Sequence, residues 1–203
     1  TVRRIFEAAF RQFGLPRSIR TDNGTPFASR GLAGLSRLSV WWIRLGIQPE
    51  RIDLGCPEQN GRHERFHQTL KRETASPPRA SWSAQQEAFV RFQKQYNEVR
   101  PHEAISLQTP ASVYHPSSRT FPTHLPELVY PFAVTLRSIS AAGHLSWRQR
   151  QIHVSVLLEG QDVALRELED GLFEVHFGPL LLGWLDDPSA TFTPCSPPPR
   201  RRR

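Results

Sequence analysis

The run Arg51 to Glu73, R-I-D-L-G-C-P-E-Q-N-G-R-H-E-R-F-H-Q-T-L-K-R-E, decides how the rest of the chain is read. Gly55, Cys56 and Pro57 open it as a breaker cluster, and the breakers stop after Gly61. From Arg62 to Glu73 the residues tolerate or favour helix. On a helix, Glu64, Gln68 and Lys71 fall at i, i+4 and i+7 and share one face. Phe66 and Leu70 mark another face, suited to a core. A carboxylate is thus presented beside an amide and a cation, at the start of a helix and behind a Gly-containing loop. That arrangement suits a metal that has to meet a phosphate.

A second anchor lies upstream in S-I-R-T-D-N-G-T-P-F, residues 18–27. Ile19 and Thr21 alternate with Arg20 as in a short strand, and Asp22-Asn23-Gly24 is a turn signal. Asp22 is expected at the carboxyl end of that strand, where open α/β sheets place their sites. In isolation such a tripeptide is a plain turn; the helix carrying Glu64 gives it a second carboxylate to work with.

Taken in order, T-D-N-G-T-P-F, P-E-Q-N-G-R-H-E-R-F-H-Q-T-L-K-R-E, F-Q-K-Q-Y-N-E-V-R-P-H-E-A-I and Q-T-P-A-S-V-Y resemble the retroviral-type integrase core of bacterial insertion-sequence transposases. The resemblance covers roughly residues 1–114. It implies an RNase H-like α/β fold in which Asp, Asp and Glu hold two divalent ions, Mg²⁺ or Mn²⁺. By position, Asp22 matches the second Asp and Glu64 the Glu. The first Asp of the pattern belongs to a strand upstream of these motifs, and Glu7, in a helical stretch, does not fit that role. Thr1 is not an initiator and the chain has no Met. The expectation is therefore a C-terminal fragment of a longer enzyme, showing no strand transfer alone, poorly soluble or soluble only as an oligomer. The resemblance also implies DNA ends and target as partners, and homo-oligomeric assembly.

The chain has 203 residues, a formal net charge of +7 and 38% hydrophobic residues, including 12 Phe and 5 Trp. That is room for one or two domains with a genuine core. No run approaches a membrane span or a signal peptide. Cys56 and Cys195 lie far apart and outside any C-x-x-C pattern, so a reducing cytoplasm is the expected location; the resemblance implies a bacterial cell and a place at the nucleoid. All but two of the 26 basic residues are arginine, the lysines being Lys71 and Lys94. The charge points to a polyanionic partner, and arginine is the better bidentate phosphate ligand. Codon bias in a GC-rich genome enriches arginine as well.

Residues 2–13 carry apolar residues at gaps of three and four, and Gly14 and Pro16 stop the helix they predict. A strand over 17–21 follows, then a helix over 32–45 from Leu32, Leu35, Leu38, Trp41, Trp42 and Leu45, and a short strand within 47–52. Ser83 starts a further helix with Phe89, Phe92 and Tyr96 as its stripe. Pro110 to Tyr114 reads as a closing helical turn. Residues 115–127 hold three prolines without periodicity and are read as a linker. Beyond them the period becomes two, with strands over 132–139, 151–155, 162–168, 172–177 and 180–185 and a hairpin turn at Asp170-Gly171. These predict a small all-β barrel over 128–187, which the resemblance implies to be a Src-homology-3-like, DNA-binding module. Residues 188–203 are expected to be a disordered Pro/Arg tail. The fold class is α/β: a partial integrase core over 1–114, then the barrel.

Two-metal phosphoryl transfer needs hard oxygen ligands, which Asp22 and Glu64 supply as metal ligands and catalytic residues. Gln59 and Asn60, in the loop before the helix, can hydrogen-bond a nucleotide or simply meet solvent. Gln68 and Lys71 complete the candidate DNA contacts, Lys71 being well placed for a phosphate, with Arg62 and Arg65 as weaker candidates because an exposed arginine is usually a solvated surface charge. Asn97, Arg100 and His102 are explained equally well by packing and by substrate contact. Two rival readings stand beside this one. His63-Glu64-Arg65-Phe66-His67 fits H-E-x-x-H, a zinc protease pattern with Glu87 as a conceivable third ligand; its basic, polar flanks argue against it. The other rival is a non-catalytic DNA-binding fragment held by charge alone.

Overall fold

The computed structural model describes residues 2–22, 24–29, 31–53, 61–169 and 171–195. Contacts divide the chain into two compact units, Thr1–Gly55 with Arg119–Arg203, and Cys56–Ser118.

In the first unit, helix α1 (Val2–Phe13) lays Phe6 and Phe10 against Trp42 and Trp41, with ring centroids 5.1 and 5.6 Å apart. Strand β1 (Ser18–Thr21) pairs in parallel with β2 (Gln48–Arg51), Thr21 standing opposite Arg51. The single helix predicted over 32–45 is divided in two. A 3₁₀ turn, Leu32–Gly34, is followed by α2 (Arg37–Arg44). The break has a local cause. Gly34 adopts φ +64°, and Ser36 caps α2 by a reciprocal pair of hydrogen bonds with Ser39. Helix α2 is buried from Leu38 to Ile43 because it serves two clusters at once. Leu38, Trp41 and Trp42 pack with Phe10 and Leu15, while Val40 and Ile43 join the β-rich core.

The strands of that core belong to residues 119–195. Strands β3 (Thr135–Ser138), β6 (Asp162–Glu169), β7 (Leu172–Phe177), β8 (Leu180–Asp186) and β9 (Thr191–Pro194) form an antiparallel sheet in that order. A separate hairpin, β4 (His144–Trp147) with β5 (Arg150–His153), meets the end of β3 by one bridge, Ile139 to Leu145. Strict alternation along β7 buries Phe173, Val175 and Phe177 against Val163, Leu165, Leu182 and Leu185. The five strands form a sheet that does not close into a barrel. Strand β9 lies inside the stretch that composition assigns to a disordered tail. It forms because Phe192 packs on the core and Leu185 and Trp184 offer a free strand edge opposite Phe192 and Thr193. Residues 196–203 lie outside the described residues.

In the second unit, α3 (Gly61–Thr74) packs on α4 (Trp82–Lys94) through Phe66 and Phe92, 6.1 Å between centroids. Ser81, not Ser83, caps α4 by accepting from the Ala84 N–H. The helix runs on into a π-helical turn, Gln95–Val99, and α5 (Pro110–Val113) begins with proline in its favoured first position. Among the described residues no helix is long and apolar enough to cross a membrane.

Candidate functional site

Asp22 follows β1 directly and is exposed. Its Oδ1 accepts the Gly24 N–H at 3.1 Å, an Asx turn that fixes the carboxylate at the strand's carboxyl end. The parallel pairing continues one step past the strands, Ile52 N–H meeting the Thr21 carbonyl at 3.4 Å. Asp53 therefore follows at the same end of the neighbouring strand. The sequence reading passed over Asp53, although I-D at the end of a predicted strand was the available signal. Below them, Arg20 and Glu50 face each other across the two strands, the guanidinium Nη2 being 3.1 Å from Oε2. The Ser18 hydroxyl and the Arg20 guanidinium hold the Glu50 carboxyl below its ordinary range.

Glu64, Gln68 and Lys71 are all exposed on α3 and share one face. Phe66, on another side, rests on Tyr96 and Phe92, which fixes the roll of the helix. Glu64 also sits in the first turn of α3, where a carboxylate complements the helix dipole. Arg62 does not belong to the Glu64 face; it lines a pocket with Phe66 and Tyr96. Gln59 and Asn60 lie outside the described residues. Asp22 falls in the first compact unit and Glu64 in the second.

The zinc protease reading finds little support. His63 and His67 are exposed, and their Nε2 atoms face each other at 2.9 Å. Glu87 lies 3.5 Å from Arg91. Among the described residues, no three of His, Cys, Asp and Glu converge as a metal-holding group. Asp22 and Glu64 each present exposed carboxylate oxygen, the hard donor type that Mg²⁺ prefers.

Residues 45–110 match the family model described as integrase core domain. Among known proteins, the chain is similar to the insertion element IS407 uncharacterized 31.7 kDa protein of Burkholderia multivorans, 30% identical over 131 residues. That match covers 63% of this chain and 45% of the relative. The insertion element IS476 uncharacterized 39.2 kDa protein of Xanthomonas euvesicatoria is 33% identical over 105 residues, 51% of this chain and 28% of its own length. A putative transposase InsD for insertion element IS2E of Escherichia coli is 30% identical over 91 residues, 44% of this chain and 39% of its own. The matches thus span less than half the length of each of these relatives. The chain is similar to insertion-sequence transposases, and its residues 45–110 match the integrase core domain.

Proposed function

We propose that this chain serves DNA transposition by metal-dependent phosphoryl transfer, contributing two of the carboxylates of a centre that cuts element ends and joins their 3′-hydroxyls to target DNA. Lacking the first Asp of the pattern, it shows no strand transfer alone. The observation that carries the reading is the exposed face of Glu64, Gln68 and Lys71, inside the stretch matched as integrase core. Asp22 and Glu64 are the metal ligands. A pair of Mg²⁺ or Mn²⁺ ions bound there supplies charge neutralisation for the attacking and leaving oxygens. Lys71 holds a phosphate of the DNA, and Gln68 hydrogen-bonds beside it. The net charge of +7 draws the polyanion in. The β-rich part serves as a Src-homology-3-like DNA-binding module, and the working form is a homo-oligomer in the cytoplasm, at the nucleoid. The charge equally favours a second reading, DNA binding without catalysis.

Mn²⁺ titration followed by electron paramagnetic resonance tests the assignment without requiring turnover. Asp22→Asn and Glu64→Gln should each weaken Mn²⁺ binding, and the double variant should lose little more than either, since both carboxylates serve one centre. Independent, additive losses would show two unrelated surface carboxylates. Unchanged binding in both variants would leave the non-catalytic reading.

A further inference from the structure

The side of α3 turned away from Glu64 is also built for a ligand. By helical geometry the residues Arg62, Arg65 and Phe66 centre roughly 140° around the helix from Glu64, Gln68 and Lys71. They line a pocket of about 380 Å³ together with Tyr96, Arg100 and His102. Its floor is aromatic. Tyr96 lies 5.2 Å from Phe66 and 4.6 Å from His102, centroid to centroid. Its rim is cationic, from Arg62, Arg65 and Arg100, and among the described residues neither Asp nor Glu lines it. The Arg100 guanidinium stands 5.7 Å over the Tyr96 ring and is held there by Glu73, at 2.8 Å. The backbone is shaped to match. Tyr96 belongs to the π-helical turn, which closes when the Arg100 N–H reaches the Gln95 carbonyl at 2.9 Å. Such turns recur at functional sites.

We propose that this pocket receives one nucleotide of a DNA strand, with its phosphate on the guanidinium rim and its base or sugar against the aromatic floor. The inference rests on the transposase reading for its ligand. Guanidinium groups select phosphate, and aromatic side chains with arginine are how proteins hold unstacked nucleotides. A concavity of this size suits a single nucleotide rather than the flank of a duplex. A helix with its side chains is about 10–12 Å across, so a phosphate on one side does not reach the other. The strand held here is therefore a different stretch of DNA from the one facing Glu64. The motif Y-N-E-V-R-P-H then contributes binding residues, and Arg62 and Arg65 serve this flank of the helix.

The test uses the full chain and fluorescence anisotropy of a labelled oligothymidylate, across about 50 to 200 mM salt. Arg65→Ala is the primary variant because Arg65 is exposed and its loss leaves the aromatic contacts intact; circular dichroism checks that α3 persists. It should flatten the slope of log affinity against log salt by about 0.7, the share of one single-strand phosphate. Arg65→Lys should keep the slope, and Lys71→Ala with Arg65→Ala should flatten it additively. Thymidine monophosphate at equal nucleotide concentration should displace the oligonucleotide poorly. If it displaces it fully, the ligand is a free nucleotide and the proposal is overturned. If Lys71→Ala flattens the slope and Arg65→Ala does not, the pocket holds no DNA although the transposase reading stands. If the unaltered chain binds neither oligonucleotide nor duplex, the transposase reading fails, and this inference with it.

Discussion

Arg100 and Glu73, 27 positions apart, are joined by one Nη atom that donates to both carboxylate oxygens at 2.8 and 3.0 Å. The pair ties the Arg-Pro-His turn to the last turn of α3, and both side chains remain about one third exposed. Solvent screens such a pair, so its strength is modest. Arg100→Ala or Glu73→Gln should each cost about 0.2–1 kcal/mol. Urea unfolding of both single variants and the double isolates the coupling, which should vanish if either partner is already lost.

Arg119 makes a larger contribution. Its guanidinium donates to the carbonyls of Pro16, Leu45 and Gly46 at 2.9, 2.8 and 2.9 Å. Its own carbonyl accepts the Leu15 N–H. Phe121 follows onto Phe10 and Trp41. Charge-assisted bonds of this kind contribute about 1.5–3 kcal/mol each at most, and they share one side chain. Arg119→Ala should destabilise the first unit by about 2–4 kcal/mol. Arg119→Lys should recover only part, because an ammonium cannot present the same planar fork. Chemical denaturation read by tryptophan fluorescence reports on Trp41 and Trp42 directly.

Gly34 sits at φ +64°, and a Cβ there would collide with the Arg51 guanidinium. Arg51 in turn donates to the Ala33 carbonyl at 3.0 Å. Gly34→Ala combines a left-handed backbone with a displaced arginine and should cost about 1–3 kcal/mol. In an Arg51→Ala background the same change should cost less, since the steric part disappears. Equal costs in both backgrounds would put the whole effect in the backbone.

Two carboxylates set an acid limit. The Ser189 hydroxyl and N–H hold Asp186 below its ordinary value, and Ser18 and Arg20 do the same for Glu50. Both groups have folded values lower than unfolded ones. Their stabilisation is therefore present above the ordinary carboxylate range and lost as pH falls through the folded values. Melting temperature should be flat near neutrality and decline in acid. Asp186→Asn should lower it at neutral pH and make the acid decline shallower.

Local pattern carried much of this fold. The gaps of three and four in 2–13, the breaker at Gly61 and the alternation of 172–177 correspond to α1, the start of α3 and β7. Where the sequence misled, a local signal was outweighed by capping or by distant contacts. Ser36 and Gly34 interrupted an apolar period that runs on unbroken through Leu45. Hairpin strand β4 and strand β9 are short, and their partners, Arg150–His153 and the edge of β8, are what make them strands. Arg119 has no periodicity to announce it, because its role depends on three carbonyls more than seventy residues away. At the site, the shared face of Glu64, Gln68 and Lys71 was legible from spacing. The position of Arg62 relative to that face was equally computable, but the pocket needed Tyr96, Arg100 and His102 folded back upon it.

Helix α3 is a single stiff rod clamped at Phe66 between Tyr96 and Phe92. A rod cannot roll one flank forward without carrying the other back. With its roll fixed by those rings, the helix holds the Glu64 carboxylate and the Arg62 and Arg65 guanidiniums on opposite flanks at a constant angle. If both flanks take DNA as proposed, this one rod sets the spacing between the piece that is gripped and the piece that reacts.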